Sequence, residues 1–423
     1  MIQASIFPIA NDTVVLGLIA LCLGFVFYTS SSDSSIWKRF YSIVPAVLMC
    51  YLLPALLSSF GIVDEPNSQL YFVASRYLLP AALILMTLSI DLKALLNLGP
   101  KALIMFLTGT FGIILGGPVA VLIVATFMPE SLGASGADEI WRGLATIAGS
   151  WIGGGANQAA MLEVFQYNPE KYGGMVLVDI VVANVWMAII LLGVGRSDRI
   201  DRWLKADNSS IEELKQRVSE HNERITRPTQ LRDLILLFSL AFAGVGAAHF
   251  FGDLWAGFLE DNFAVIRDKD QVLSSLGSRF LWMVVIATSV GIGLSFTKAK
   301  SFEGAGSSKI GSLFIYILVA TIGMKMDIGR VLENPSLILI GFIWIGIHAG
   351  LLILVAKWIK APFFFLAVGS QANVGGAASA PVVAAEFHPS LTSVGILLAV
   401  FGYIVGTVGA YLCAILMQLA STV

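Results

Sequence analysis

"GSWIGGGANQAA", residues 149–160, decides how this chain is read. It places four glycines, a serine, an asparagine and a glutamine inside a run otherwise apolar enough to cross a bilayer. Glycine releases the backbone from helical geometry, and the amides are costly in lipid unless something pairs with them. Non-helical backbone survives at membrane depth only where protein or a water-filled cavity surrounds it. The rest of the chain supplies that setting. Of 423 residues, 57% are hydrophobic and 13% charged, against about a quarter charged in soluble domains. The composition is that of an all-α polytopic membrane protein whose first partner is the lipid bilayer. A net charge of −2 gives no basis for nucleic-acid binding. Cys22, Cys50 and Cys413 lie in apolar runs without metal-like spacing, and the four histidines are too scattered for a zinc site. No basic residue precedes Lys38, so the first apolar run reads as a spanning helix rather than a signal peptide.

Runs long enough for the roughly 30 Å hydrocarbon core cover 13–29, 40–60, 71–90, 102–128, 140–165, 173–194, 231–251, 278–296, 309–324, 335–356, 361–387 and 390–418. The polar, helix-forming stretch 195–230 separates an N-terminal membrane repeat (1–194) from a C-terminal one (231–423). Its eight Lys and Arg residues between 196 and 227 point to the cytoplasm. A second polar stretch, 252–277, is expected to lie in the membrane plane. The halves resemble each other. "LSIDLKALLNLGPKALI" (88–104) matches "MKMDIGRVLENPSLILI" (324–340), setting Asp91 opposite Asp327. "GSWIGGGANQAA" matches "GSQANVGGAASAP" (369–381), and a glutamate follows each, Glu163 and Glu386. Basic short loops at Lys38–Arg39, Lys93 and Lys101, Lys298 to Lys309, and Lys357 and Lys360 make equivalent segments antiparallel, an inverted repeat. Six crossings per half would instead leave the halves parallel, so one apolar run does not cross or one crossing is hidden.

Paired discontinuous helices in repeated transporter folds present half-helix ends to solute and coupling ion near the midplane. On that reading each repeat carries one broken helix that crosses its partner. Asp179, Asn157, Asn373, Gln371 and Ser370 are the candidate ion ligands. Ser150, Gly153, Gly154, Gly155, Gln158, Gly375, Gly376 and Ser379 are the candidates for contact with the solute. The bland alternative is that small residues permit tight packing and the amides glue helices together. Asp179, in "MVLVDIVVANVW", has no Lys or Arg in its apolar run and must be solvated, paired or coordinating; its alternative is a protonated acid bonded to a carbonyl. Asn184 lies at similar depth on another face. The corresponding place in the second half offers only Tyr403 and Thr407. His348 is a candidate proton relay or a neutral histidine bonded across helices. Asp91 and Asp327 read as helix caps, Glu163 and Glu386 as vestibule or binding residues, and Trp151 as a pocket wall or packing residue. No catalytic motif or phosphate-binding loop is present.

The paired motifs "GSWIGGGANQAAMLEVF" and "GSQANVGGAASAPVVAAEF" resemble those of the multi-pass membrane family called domain of unknown function 819 (YjcL-like), over nearly the whole chain. That family is grouped with the cation:proton antiporter and anion transporter superfamily, relatives of sodium–bile acid symporters and sodium–proton exchangers. The resemblance implies an inverted repeat, a core domain moving against a panel domain, and sodium or proton coupling. It places the crossing points at Gly153–Gln158 and Gln371–Gly376, and Asp179 on the helix bearing the exchangers' acid. Val178 stands where electrogenic exchangers carry a second acid, which favours symport of an organic solute over simple exchange. The expectation is a secondary transporter of the bacterial inner membrane, compatible with a homodimer. It would couple sodium or proton to a small, anionic organic solute and need no other cofactor. The alternatives are a cation–proton antiporter and a non-transporting receptor or scaffold that uses 195–230 to bind partners.

Overall fold

Every apolar run becomes helix, because a helix satisfies its own N–H and C=O groups where no water can. The computed structural model describes residues 7–41, 44–88, 95–96, 98–127, 135–207, 228–268, 272–327, 336–388 and 391–421. In chain order its main helices are α1 (Asp12–Ser30), α2 (Ser35–Tyr41), α3 (Ala46–Ser59), α4 (Leu70–Leu88), α5 (Pro100–Phe127), α6 (Ile140–Val164), α7 (Tyr172–Val194) and α8 (Ser197–Leu204). They continue with α9 (Leu231–Asn262), α10 (Arg279–Ser295), α11 (Ser307–Lys325), α12 (Ser336–Trp358), α13 (Phe363–Val374), α14 (Gly376–Phe387) and α15 (Thr392–Ser421). Eight are long and apolar enough to span alone. Two bent pairs, α2 with α3 and α10 with the 3-10 segment Lys298–Ala305, raise the number to ten among the described residues.

The two glycine motifs do not carry their helices onward. In α6 the Asn168 N–H donates to the Ala137 carbonyl (2.9 Å), Arg142 Nη1 donates to the Phe165 carbonyl (2.8 Å), and the Trp141 and Phe165 rings lie 5.4 Å apart. Both ends of α6 therefore sit together, and the helix turns back at Gly154, whose φ is 74°. Likewise Phe363 and Phe364, at the start of α13, pack on Phe387 at the end of α14, with ring centroids 5.8 and 5.3 Å apart. Both motifs are tips of re-entrant hairpins, which corrects the expectation of broken helices that cross. The reason is local: a left-handed residue between two helical arms reverses the chain. The arms then pack closely, since a Cβ added to Gly149 would lie 2.6 Å from the Asn157 carbonyl oxygen.

Inter-element bonds sort the loops into two faces. On one face Ser68 donates to Asp12 (2.7 Å), Lys325 pairs with Glu65 (2.8 Å) and the Asp327 N–H donates to the Glu170 carbonyl (3.1 Å). On the other, Ser307 donates to the Leu85 carbonyl (2.8 Å), Thr229 to that of Ala305 (2.9 Å), and Lys101 pairs with Asp207 (3.1 Å). Hairpin α6 opens from the first face. Hairpin α13–α14 opens from the second, where the Phe363 N–H donates to Asp201. Each half thus has five crossings and one hairpin, and an odd number leaves the halves oppositely directed. The basic loops gather on the second face, which the positive-inside rule makes cytoplasmic.

Packing cuts across the halves. α1, α3, α4, α9, α10 and α11 form one group; α5, α6, α7 and α12 to α15 form the other. Each half gives its first three spans to one group, and its last two spans and hairpin to the other. The stretch 252–277 departs from expectation as well: "GDLWAGFLEDN" continues α9 to Asn262, because buried Gly252 and Ala256 keep its inward stripe in register. Short turns follow among the described residues, at Ala264–Arg267 and Val272–Gly277. Asp91 and most of the linker (208–227) lie outside the described residues. Asp327 is seen tying α11 to the loop before α7.

Pro80 has no N–H for the Arg76 carbonyl one turn back, and the turn there widens to a π-helix over Ala74–Leu78. His249 Nε2 of α9 lies 2.8 Å from that carbonyl; a carbonyl only accepts, so the imidazole donates. His249→Leu should therefore cost about 1 kcal/mol, read as a lower Tm in detergent, and His249→Gln, which still donates, should recover most of it.

Candidate functional site

Asp179 projects from α7 into the first hairpin and is 8% exposed. Its Oδ2 accepts from Ser150 Oγ (2.7 Å) on the first arm and from Gln158 Nε2 (3.1 Å) on the second, and its Oδ1 accepts from Trp151 Nε1 (2.7 Å). The carboxylate therefore ties together the two arms that Gly154 separates. Three neutral donors occupy three of its about four lone-pair positions. Hydrogen bonds to a charged acceptor are worth about 1.5–3 kcal/mol each, which offsets the removal of the acid from water. Asn184 is turned away, bonded to the Ile180 carbonyl on its own helix.

Seven residues further along α7, Trp186 Nε1 donates to Ser370 Oγ (2.8 Å) on the first arm of the second hairpin. One face of α7 thus holds both serines that the sequence match aligns, Ser150 through Asp179 and Ser370 through Trp186. Ser370 also lies 2.7 Å from His348 Nε2, while His348 Nδ1 lies 2.9 Å from the Gly109 carbonyl. That carbonyl only accepts, so Nδ1 donates to it, while Nε2 and the Ser370 hydroxyl share the second bond. The chain of bonds runs from Trp186 through Ser370 and His348 to Gly109, so the imidazole bridges the second hairpin and α5.

Asn157 and Asn373 make reciprocal bonds between the halves. Asn157 Nδ2 donates to the Gly153 carbonyl (2.9 Å), and its Oδ1 accepts from Thr407 Oγ1 of α15 (2.6 Å). Asn373 Nδ2 lies 2.9 Å from both the Gly369 and Phe106 carbonyls, and its Oδ1 accepts from Thr110 Oγ1 of α5 (2.8 Å). Both threonines belong to one short motif, "GTFG" at 109–112 and "GTVG" at 406–409. The glycine beside each threonine lets the amide approach: a Cβ at Gly109 would lie 3.0 Å from Asn373 Nδ2, and one at Gly406 2.6 Å from Asn157 Nδ2. In sequence the motif repeats in helices of unequal rank, α5 and α15, so an ordered comparison of the halves passes over it.

The five proposed ion ligands do not form one coordination set. Among the described residues Asp179 bonds to none of Asn157, Ser370, Gln371 or Asn373: carbonyls and threonines occupy the asparagines, His348 and Trp186 the serine, and Ser379 the Gln371 amide nitrogen. Ser150 and Gln158, expected at the solute, donate to Asp179. What remains open lies at the tips. A Cβ at Gly402 of α15 would sit 2.7 Å from the Ile152 carbonyl oxygen and 3.7 Å from that of Ala372, so the two hairpins converge there. Gly155 faces Ile315 of the other helix group, and Gly154 faces Tyr403. In the second hairpin Gln371 Nε2 donates to Ser379 Oγ across Gly375 (2.8 Å), and buried Gln371 Oε1 has no partner among the described residues. Gly376, with φ 57°, opens α14 without a side-chain cap.

Glu163, at the foot of the first hairpin, accepts from the Tyr71 hydroxyl and pairs with Arg76 Nη2 at 2.8 Å. Both partners lie on α4, so this contact joins the two helix groups. Phe280 stacks under the guanidinium, 4.4 Å from its centroid. Only the tertiary fold pairs a glutamate with an arginine 87 positions away. Glu386 is exposed.

A family model described as "Protein of unknown function (DUF819)" matches residues 17–419. The chain is also 25% identical over 353 residues to the "Uncharacterized membrane protein YjcL" of Bacillus subtilis (strain 168), covering 82% of this chain and 83% of that protein. With its spans, this makes it a multi-pass integral membrane protein.

Two expectations follow from the geometry. Thr407→Val and Thr110→Val each strand a buried amide oxygen and should lower stability by about 1–3 kcal/mol, while the serine variants should lose little; thermal unfolding distinguishes them. Glu163→Gln and Arg76→Gln in a double-mutant cycle should show a coupling of about 1–3 kcal/mol, measured by the same method.

Proposed function

The chain belongs to the DUF819 family, and on that footing we propose that it is a secondary active transporter rather than an enzyme. It couples sodium or proton movement to a small, anionic organic solute by alternating access across the bacterial inner membrane. The observation that carries the reading is the Asp179 carboxylate, which bonds to both arms of the first hairpin across Gly154. A cation or proton arriving at that carboxylate takes a lone pair that Ser150, Trp151 or Gln158 now uses. Its arrival is therefore linked to the shape of the tip, which is what ion coupling requires.

Three further features support the reading. The hairpins converge at Gly402, and Gly155 of the first tip faces Ile315 of the other helix group, so sliding of one group past the other would change which side reaches that tip. The uncapped start of α14 offers backbone N–H groups that suit a carboxylate. Gln371 Oε1 is an unpaired acceptor beside it, suited to a cation or to a donor on the solute.

Proteoliposome uptake of a panel of small carboxylates, under an imposed sodium or pH gradient, tests the proposal. Uptake should follow one of the gradients, and Asp179→Asn should reduce it by about tenfold or more, as expected when a charge-assisted bond is lost. Uptake indifferent to both gradients, with Asp179→Asn fully active, would refute it. Dye-detected proton flux driven by sodium alone, with no solute, would establish the antiporter instead.

A further inference from the structure

Away from the hairpins, a groove of about 530 Å³ lies between α1 and α11, bridged by the edge-on contact of the Phe27 and Tyr316 rings at 4.8 Å. Its α1 wall is wholly apolar: Leu16, Ile19, Ala20, Leu23, Gly24 and Phe27. Residues 16 to 27 rise about 16 Å along a helix axis, about half of the roughly 30 Å hydrocarbon core. That is the depth of one leaflet. The α11 wall is mixed: Leu313 and Ile317 are apolar, while Lys309, Ser312 and Tyr316 lie three and four residues apart on one helical face.

The direction of the groove follows from the fold. Asp12, at the start of α1, bonds to Ser68 and to the Gln69 N–H, and Lys325, at the end of α11, pairs with Glu65. The two helices are thus antiparallel, and Lys309, in the first turn of α11, stands at the end where α1 finishes. This is the basic face that carries Lys38 and Arg39. Lys309 is exposed and has no hydrogen-bond or ion-pair partner among the described residues. A lysine stem can lie along apolar wall while its ammonium stays at the headgroup level.

We infer that this groove binds an anionic glycerophospholipid of the cytoplasmic leaflet, its acyl chain against α1 and its phosphate at Lys309. The charge decides the class: an apolar groove alone would accept any chain, whereas the Lys309 ammonium at its mouth selects an anionic head. The inference is independent of the transport reading.

The purified full chain, in mild detergent, should be titrated with phosphatidylglycerol or with phosphatidylcholine of the same chains, and with inorganic phosphate. Melting and native mass spectrometry are the readouts. Phosphatidylglycerol should raise Tm by about 2 °C or more and stay bound in the gas phase, and phosphatidylcholine and phosphate should not. Lys309→Gln should abolish the preference. Gly24→Leu should also abolish binding, since a Cβ there meets nothing within 4 Å and its side chain fills the groove without disturbing the fold. Equal effects of the two lipids, or phosphatidylglycerol binding unchanged in both variants, would overturn the inference. So would a dimer that Gly24→Leu dissociates, which would make a second copy the occupant.

Discussion

One buried carboxylate holds the first hairpin in shape. A glycine at positive φ lets a helix reverse inside the membrane, but nothing in that reversal keeps the two arms at a fixed separation. Asp179 does so by accepting from Ser150 and Trp151 on one arm and Gln158 on the other. The acid tolerates its burial because these donors replace water, and the arms stay together because the acid needs them. Neither side of the arrangement is stable alone.

The same helix extends that control to the second hairpin. Asp179 and Trp186 share a face of α7, and through Ser150 and Ser370 each grips one hairpin. Asn157 and Asn373 then lock each hairpin to a glycine-rich helix of the other half through Thr407 and Thr110. Every amide used in this way satisfies a carbonyl or hydroxyl that lipid would leave unpaired. Polar residues concentrate here because re-entrant backbone creates the demand. The contact of Glu163 with Arg76 and Tyr71 is of another kind, since it joins the two helix groups instead of stabilising one of them.

Much of this was legible in the residues, and the failures have specific causes. The limits of the apolar runs, the glycine motifs and the importance of Asp179 all follow from the cost of polar groups in lipid. The conflict over parity was also visible, because basic loops demanded antiparallel halves while six crossings forbade them. It dissolves once α6 and α13–α14 turn back. A glycine cluster by itself does not say whether a helix kinks onward or reverses; Gly154 reverses because its arms find partners in each other and in α7. The pairing of "GTFG" with Asn373 and of "GTVG" with Asn157 joins residues 263 and 250 positions apart. The signal was present as a repeated tetrapeptide, but it sits in helices of unequal order.

By itself the sequence determined that the protein is a multi-span helical membrane protein with two polar interruptions and, in Asp179, an acid deep in an apolar run. These are consequences of local chemistry against a single solvent, the bilayer, and need no knowledge of neighbours. Tertiary structure alone decided which donors meet which acceptors. It made Ser150 and Gln158 partners of Asp179, and set His348 between Gly109 and Ser370. It also gave Glu163 a cation on another helix group. The physical reason is that amides, hydroxyls and carboxylates are interchangeable as hydrogen-bonding capacity. Only the packing of α7, α5 and α15 around the hairpins selects among the pairings that capacity allows.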